Sequence, residues 1–195
     1  MKWNQCQHGG WFFLPWHRMY LYWFERIVRK AVLDAGGPAD FALPYWNYDR
    51  PSPAGSLPPA FRTQQLPDGT ANPLYLGPGQ RNAALVAGGE LPNIATSADD
   101  ALAIEDFSST AGEPAFGGGE VGPVHFSAAT GLVEQTPHNV IHGLIGGANV
   151  DNCEGAVMSD PNCAASDPIF WLHHANIDRL WNRWVAEGGK RANPT

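Results

Sequence analysis

The sequence predicts a mainly α fold with long Pro/Gly-rich loops, built as a single domain over residues 1–195, and three observations predict it. The chain has 195 residues, 44% of them hydrophobic, with 8 Trp, 9 Phe and 5 Tyr but only 16% charged. That composition supplies one sizeable core and excludes a disordered tail or a coiled coil. Residues 1–48 and 132–187 hold all 8 tryptophans and six of the 7 histidines, and these two ends carry the helical patterns. Residues 51–130 hold ten of the 17 prolines, eleven of the 22 glycines and no tryptophan, which is the composition of irregular surface structure. This stretch lacks the charge and length of an interdomain linker, so it reads as a loop excursion over one core made by the two ends.

In chain order, Met1-Lys2-Trp3-Asn4-Gln5-Cys6-Gln7-His8 shows no charged segment followed by an apolar run, so no secretory signal is expected in it and localisation stays open. A first helix is predicted from about Pro15 or Trp16 to about Asp34, closed by Gly36-Gly37-Pro38. Its first half is apolar nearly all round, from Met19 to Phe24 with Ile27 and Val28, and such a helix is expected to be buried on most sides. Within the loop-rich third, Ser97 to Asp106 predicts a short helix capped by Ser97. A further helix is predicted over about Pro137 to Leu144, stopped by Gly146-Gly147. The last opens at Asp167-Pro168, an N-cap residue followed by proline, and runs through Phe170, Trp171, Ile177, Leu180, Trp181 and Trp184 to Gly188-Gly189.

Charge and cysteine content narrow the function classes. A net charge of −7 is wrong for a protein that must neutralise phosphates, so nucleic acid is not an expected partner. No apolar run reaches the roughly 18 residues of a membrane span, so no membrane partner is expected either. Three cysteines are too few for a disulfide scaffold. At most Cys153 pairs with Cys163, which leaves Cys6 for another use.

The histidines point to a metal. His138 and His142 stand i, i+4 in a predicted helix, which puts both imidazoles on one face about 6 Å apart and able to share an ion. His17 and His174 lie in the two strongly aromatic helices. Packing alone explains this poorly, because an apolar side chain fills the same space without leaving a buried nitrogen unsatisfied. Imidazole donors without paired thiolates suit copper, zinc, iron or nickel, and ligand type alone leaves those open. The absence of an H-E-x-x-H arrangement and of a cysteine-rich set leans toward a catalytic or oxygen-binding metal.

The stretch His8-Gly9-Gly10-Trp11-Phe12-Phe13-Leu14-Pro15-Trp16-His17-Arg18-Met19-Tyr20-Leu21 resembles the copper A signature of the tyrosinase, catechol oxidase and molluscan hemocyanin family. Asp167-Pro168-Ile169-Phe170-Trp171-Leu172-His173-His174-Ala175-Asn176-Ile177-Asp178-Arg179-Leu180-Trp181 resembles its copper B signature. Leu43-Pro44-Tyr45-Trp46-Asn47-Tyr48 and Pro137-His138-Asn139-Val140-Ile141-His142 are further family marks, in the expected order.

The resemblance implies an antiparallel four-helix-bundle core holding two copper ions, each with three histidines. It implies copper A donors at His8 and His17 and copper B donors at His138, His142 and His174. His174 is chosen over His173 by counting back four from Asp178, which would set that carboxylate one turn from the ligand. His173, about 100° round the helix, is left to packing or to bonding behind the donors. The family's first copper A histidine lies upstream on an earlier helix, whereas only seven residues precede His8. The chain is therefore expected to be N-terminally truncated, with copper A held by two histidines. His125, in Gly-rich sequence, is expected to be a surface residue.

Cys6, two before His8, resembles the cysteine that forms a thioether to the ligand imidazole in fungal and molluscan members. Glu134 and Asn139 match the pair said in the family to hold a water that helps take the phenolic proton, a sensible arrangement for a phenol of pKa near 10. Pro161 falls near the position overhanging copper B and is smaller than the blocking Phe of some plant members, which implies an open mouth. Arg18, Arg26 and Arg179 are expected in salt bridges or at helix ends. The implied activity is that of an oxidoreductase using O2 to hydroxylate monophenols or oxidise o-diphenols to o-quinones, with a small phenol and O2 as partners and oligomeric state open. The alternatives are a hemocyanin-like O2 carrier and a truncated domain without turnover.

Overall fold

The computed structural model describes residues 5–110, 112–146 and 157–194. The fold is helix-rich: α1 (Phe13–Asp34), α2 (Ala83–Val86), α3 (Asn93–Thr96), α4 (Asp99–Ala103), α5 (Val140–Gly146) and α6 (Ile169–Ala186), with a two-residue parallel pairing of β1 (Ser108–Ser109) and β2 (Gly118–Gly119). No described helix is long and apolar enough to cross a membrane.

α1 begins two residues ahead of the expected start, since Pro15 falls in the first turn, where its missing N–H costs nothing. It ends as expected at Asp34. Gly36 takes φ +79° and the Gly37 N–H returns to the Val32 carbonyl at 2.8 Å, which closes the last turn. The expectation that α1 is buried on most sides is not met. It buries one stripe, Phe13, Leu14, His17 and Leu21, and leaves Met19, Trp23 and Ile27 53%, 56% and 67% exposed. Apolar composition alone does not tell which face the rest of the chain covers.

The helix expected from about Pro137 starts where proline dictates. Thr136 is extended (φ −141°, ψ 124°) as residues before proline prefer; helical backbone then runs through His138 and Asn139 into α5. α6 opens at Ile169, whose N–H is capped by Asp167 Oδ1 at 2.9 Å. The same carboxylate meets Arg81 through two bonds of 2.5 and 2.8 Å, both side chains fully buried. The predicted short helix appears as α4, with Ser97 Oγ accepting the Asp99 N–H.

α6 divides the core. On one side Phe170 and Trp171 pack with Leu21, Trp46, Tyr48, Ile141 and Ile145; on the other Ile177, Leu180 and Trp184 pack with Phe13, Leu102 and Phe116. Trp184 stacks on Phe116 at 4.7 Å and donates Nε1–H to the Ile104 carbonyl at 2.6 Å. The loop-rich excursion is thereby fastened to α6. Cys163 is disulfide-bonded; its expected partner, Cys153, lies outside the described residues.

Candidate metal centre

The histidines of α5 and its leading turn face those of α6. His138 and His142 each turn Nε2 toward His174 Nε2, at 3.3 and 3.2 Å. Their Nδ1 atoms are committed elsewhere: that of His138 to Asn139 Oδ1 at 2.8 Å and that of His142 to the Met158 carbonyl at 2.7 Å. An oxygen that only accepts requires N–H at Nδ1, so in the neutral rings both Nε2 atoms carry lone pairs. His174 can donate one Nε2 proton to one of them and leaves at least one lone pair facing nitrogen. Protonation does not relieve this: burial, then the neighbouring imidazoles, hold His138 and His174 well below the ordinary histidine value. His142 is lowered to about 4, chiefly by burial.

His138, His142, His173 and His174 offer ligand atoms within 4.8 Å of one another. His173 is fully buried, with Nδ1 3.2 Å from the Tyr48 hydroxyl, its ring 5.3 Å from that of His138, and Nε2 without a hydrogen-bond partner.

A second group lies beside the first. Cys6, His8 and His17 also offer ligand atoms within 4.8 Å of one another, with Cys6 Sγ 3.2 Å from His17 Nε2 and 3.8 Å from His8 Nε2. His17 Nδ1–H is held by the Phe13 carbonyl one turn back at 2.8 Å, which aims Nε2 inward. His8 Nδ1 is buried without a partner. The thiol is pushed up to about 12 by burial and by the charge of Glu134, so in the metal-free chain it keeps its proton. The two groups share a wall: His17 and His174 stack at 4.5 Å with 16° between their planes. The thiol as a third donor candidate beside His8 and His17 was not anticipated.

Both groups open on a cavity of about 300 Å³ whose lining includes Glu134, Asn139, Phe126 and Pro161. Glu134 is 2% exposed and accepts the Gly9 N–H on both oxygens, at 2.8 and 3.1 Å. Burial raises it to about 8, against the lowering effect of that bond.

Several placements differ from expectation. Asp178 makes no hydrogen bond to His174, whose Nδ1 has no partner; it pairs with Arg18 of α1 at 2.5 Å. His125 is not a surface residue apart from the site: its Nδ1–H donates to the Cys6 carbonyl at 2.6 Å and its own carbonyl receives the His8 N–H at 3.1 Å. Arg18 and Arg179 make the expected ion pairs, the latter with Asp49. Arg26 instead donates to the Tyr22 hydroxyl. Arg81 and Phe126 were not anticipated, since nothing in their local sequence marks them.

The donors fit copper, or another ion that accepts neutral imidazole, and no carboxylate belongs to either group. The family described as "Common central domain of tyrosinase" matches residues 1–187. A tyrosinase from Hahella sp. (strain CCB-MM4) is 45% identical over 202 residues, covering 98% of this chain and 40% of that protein. A latent, chloroplastic polyphenol oxidase of Prunus armeniaca is 37% identical over 203 residues, covering 96% of this chain and 32% of that one. The chain thus spans well under half the length of these relatives. The crystal structure of Grenache (Vitis vinifera) polyphenol oxidase superposes with a TM-score of 0.73 at 30% identity, covering 96% of this chain and 55% of that one. These relatives are oxidoreductases, and two metal-ready groups in the order of the two copper signatures agree with them: the chain belongs to the tyrosinase family, matching its common central domain.

Proposed function

We propose that this chain holds a pair of copper ions and oxidises small phenols with O2, by hydroxylating monophenols, by converting o-diphenols to o-quinones, or both. The observation that carries this reading is the convergence of the His138 and His142 Nε2 atoms on that of His174, at 3.3 and 3.2 Å, with the Nδ1 atoms of His138 and His142 pinned so that their Nε2 atoms stay bare. Like lone pairs in a buried site are costly until a cation accepts them. In this reading His138, His142 and His174 are the copper B donors and His8 and His17 are copper A donors. α1, α5 and α6 are three helices of the antiparallel four-helix bundle that family membership implies, and residues 1–195 form one domain.

Bound copper supplies the redox chemistry; the chain supplies geometry, proton transfer and a closed site. The Phe13, Met158 and Asn139 oxygens orient three imidazoles before any ion arrives, so little freedom is lost on loading. Phe13, fully buried against His17 and His138 at 4.6 Å from each ring, keeps water from the donors. A phenol enters the cavity, whose volume suits a single ring. In its ionised form Glu134 takes the hydroxyl proton through a water shared with Asn139: burial raises its carboxyl to about 8, so the carboxylate that forms as the pH approaches 8 is a stronger proton acceptor than an exposed one. Cys6 forms the thioether to His8 on maturation, with loss of two hydrogens to O2.

The test is oxygen uptake by the copper-loaded chain with a monophenol and an o-diphenol supplied separately. Turnover with either supports the reading. An absorption band formed on adding O2 to the reduced protein, with turnover of neither, favours an O2 carrier. The absence of both contradicts the proposal.

A further inference from the structure

His8 differs from the other donors in how it is held. It lies outside any helix, ahead of α1, so no helical frame sets its ring. Its Nδ1 has no hydrogen-bond partner, whereas the Nδ1 atoms of His17, His138 and His142 are each pinned to an oxygen. What holds His8 comes from residues 125–127 in the loop-rich excursion. The His8 N–H donates to the His125 carbonyl and the His8 carbonyl accepts the Ser127 N–H, both at 3.1 Å. His125 Nδ1–H ties the Cys6 carbonyl at 2.6 Å, and Ser127 Oγ closes on the Gly9 carbonyl. Gly9 has φ +71°, and a Cβ there would collide with the Ser127 backbone, so the two segments meet backbone to backbone. Between the ties the Phe126 ring lies flat on the His8 ring, 5.0 Å between centroids and 17° between planes. The other rings beside His8 meet it tilted or edge-on, between 34° and 69°. Phe126 is 55% exposed, so little of it is spent on the core.

We propose that His125, Phe126 and Ser127 clamp His8 toward the metal, with Phe126 a positioning residue that sets the imidazole plane by stacking. The backbone ties fix where His8 sits, and the stack fixes how its ring turns, the task that hydrogen bonds to Nδ1 perform for His17, His138 and His142. The inference rests on His8 being a copper donor.

The experiment combines copper titration of the full chain by calorimetry with NMR of the histidine ring protons in the metal-free protein. In F126A the His8 ring protons, shielded by the stack in the parent, move downfield. The affinity for one of the two ions falls about 10- to 100-fold, the range found when a group orienting a ligand is removed, while the other ion keeps its affinity. F126W restores both readouts and F126L restores neither. H125Q, which keeps an N–H to offer Cys6, weakens that ion less than H125A. Unmoved His8 ring protons in F126A, or full restoration by F126L, overturns the clamp. His8→Ala separates the levels. If it leaves both ions bound, the donor assignment fails and the clamp with it; if it removes one ion that F126A leaves at full affinity, the donor assignment stands and the clamp alone fails.

Discussion

The Nε2 atoms of His142 and His174 lie 3.2 Å apart, although His142 spends its Nδ1 proton on the Met158 carbonyl. His138 Nε2 faces the same His174 nitrogen at 3.3 Å, and one proton cannot serve both contacts. The set is poor in a metal-free protein and favourable around a cation, which places the cost of the site in the fold and its recovery in the metal. Replacing His174, 1% exposed and with an unpartnered Nδ1, by leucine is expected to stabilise the metal-free chain. A gain of about 1 kcal/mol raises Tm by about 2–4 °C in a protein of this size. Thermal unfolding of H174L in chelator checks this, and the same variant loses the stabilisation that added copper gives the parent.

Acid is expected to weaken the metal-free fold in a defined window. His8 and His142 fall from the ordinary 6.5 to about 4, chiefly through burial, so the unfolded chain binds more protons than the folded one between those values. Their stabilising contribution is complete above about pH 6.5 and is lost as the pH falls toward 4. Glu134 acts in the opposite sense: raised from 4.5 to about 8, it holds its proton when folded, and that contribution is complete below about pH 4.5 and fades as the pH rises to 8. Urea unfolding of chelated protein across pH 4 to 9 should show a maximum near pH 6.5, and Glu134→Gln should remove the decline between pH 6.5 and 8 while steepening the rise below it.

Glu134→Gln in the copper-loaded chain is expected to cut kcat/KM for a monophenol by about 100-fold, the scale of a lost proton acceptor. It should leave copper content unchanged, because Glu134 belongs to neither donor group. Oxygen uptake with metal analysis checks both.

Asp167 both caps α6 and neutralises the fully buried Arg81. Asp167→Asn leaves a buried guanidinium without its counter-charge and is expected to cost about 3–5 kcal/mol. Pairing it with Arg81→Met should cost less than the two single changes summed. Chemical denaturation of the three variants measures the coupling.

The thioether assigned to Cys6 and His8 has a direct test. Cys6 is a free thiol beside both imidazoles of its group. Copper loading in air should yield a chain lighter by two hydrogens in intact-mass measurement, and Cys6→Ser should show no such change.

How much of this was legible in sequence follows the range of each interaction. His138 and His142 share a face because four residues make about one turn, and α1 and α6 end where glycines and a capping aspartate end them. These are local rules. The excursion's role was not legible: Arg81 meets Asp167 across 86 residues, and the residues clamping His8 lie more than a hundred positions away, joined by backbone bonds that leave no side-chain period. Asp178 shows the limit of local spacing, since one turn from His174 it found the Arg18 guanidinium of another helix. The exposed face of α1 shows the limit of composition, because Trp23 and Ile27 read as core and are more than half exposed.

The central claim, that His138, His142 and His174 hold one copper ion and His8 and His17 share in holding a second, is tested most directly by copper bound per chain. The chain is loaded, desalted and analysed for metal beside His174→Ala. The account predicts two ions per parent chain and one in the variant, with nitrogen the dominant scatterer around copper in X-ray absorption. A copper content that His174→Ala leaves unchanged, or a parent chain that retains none, would contradict it.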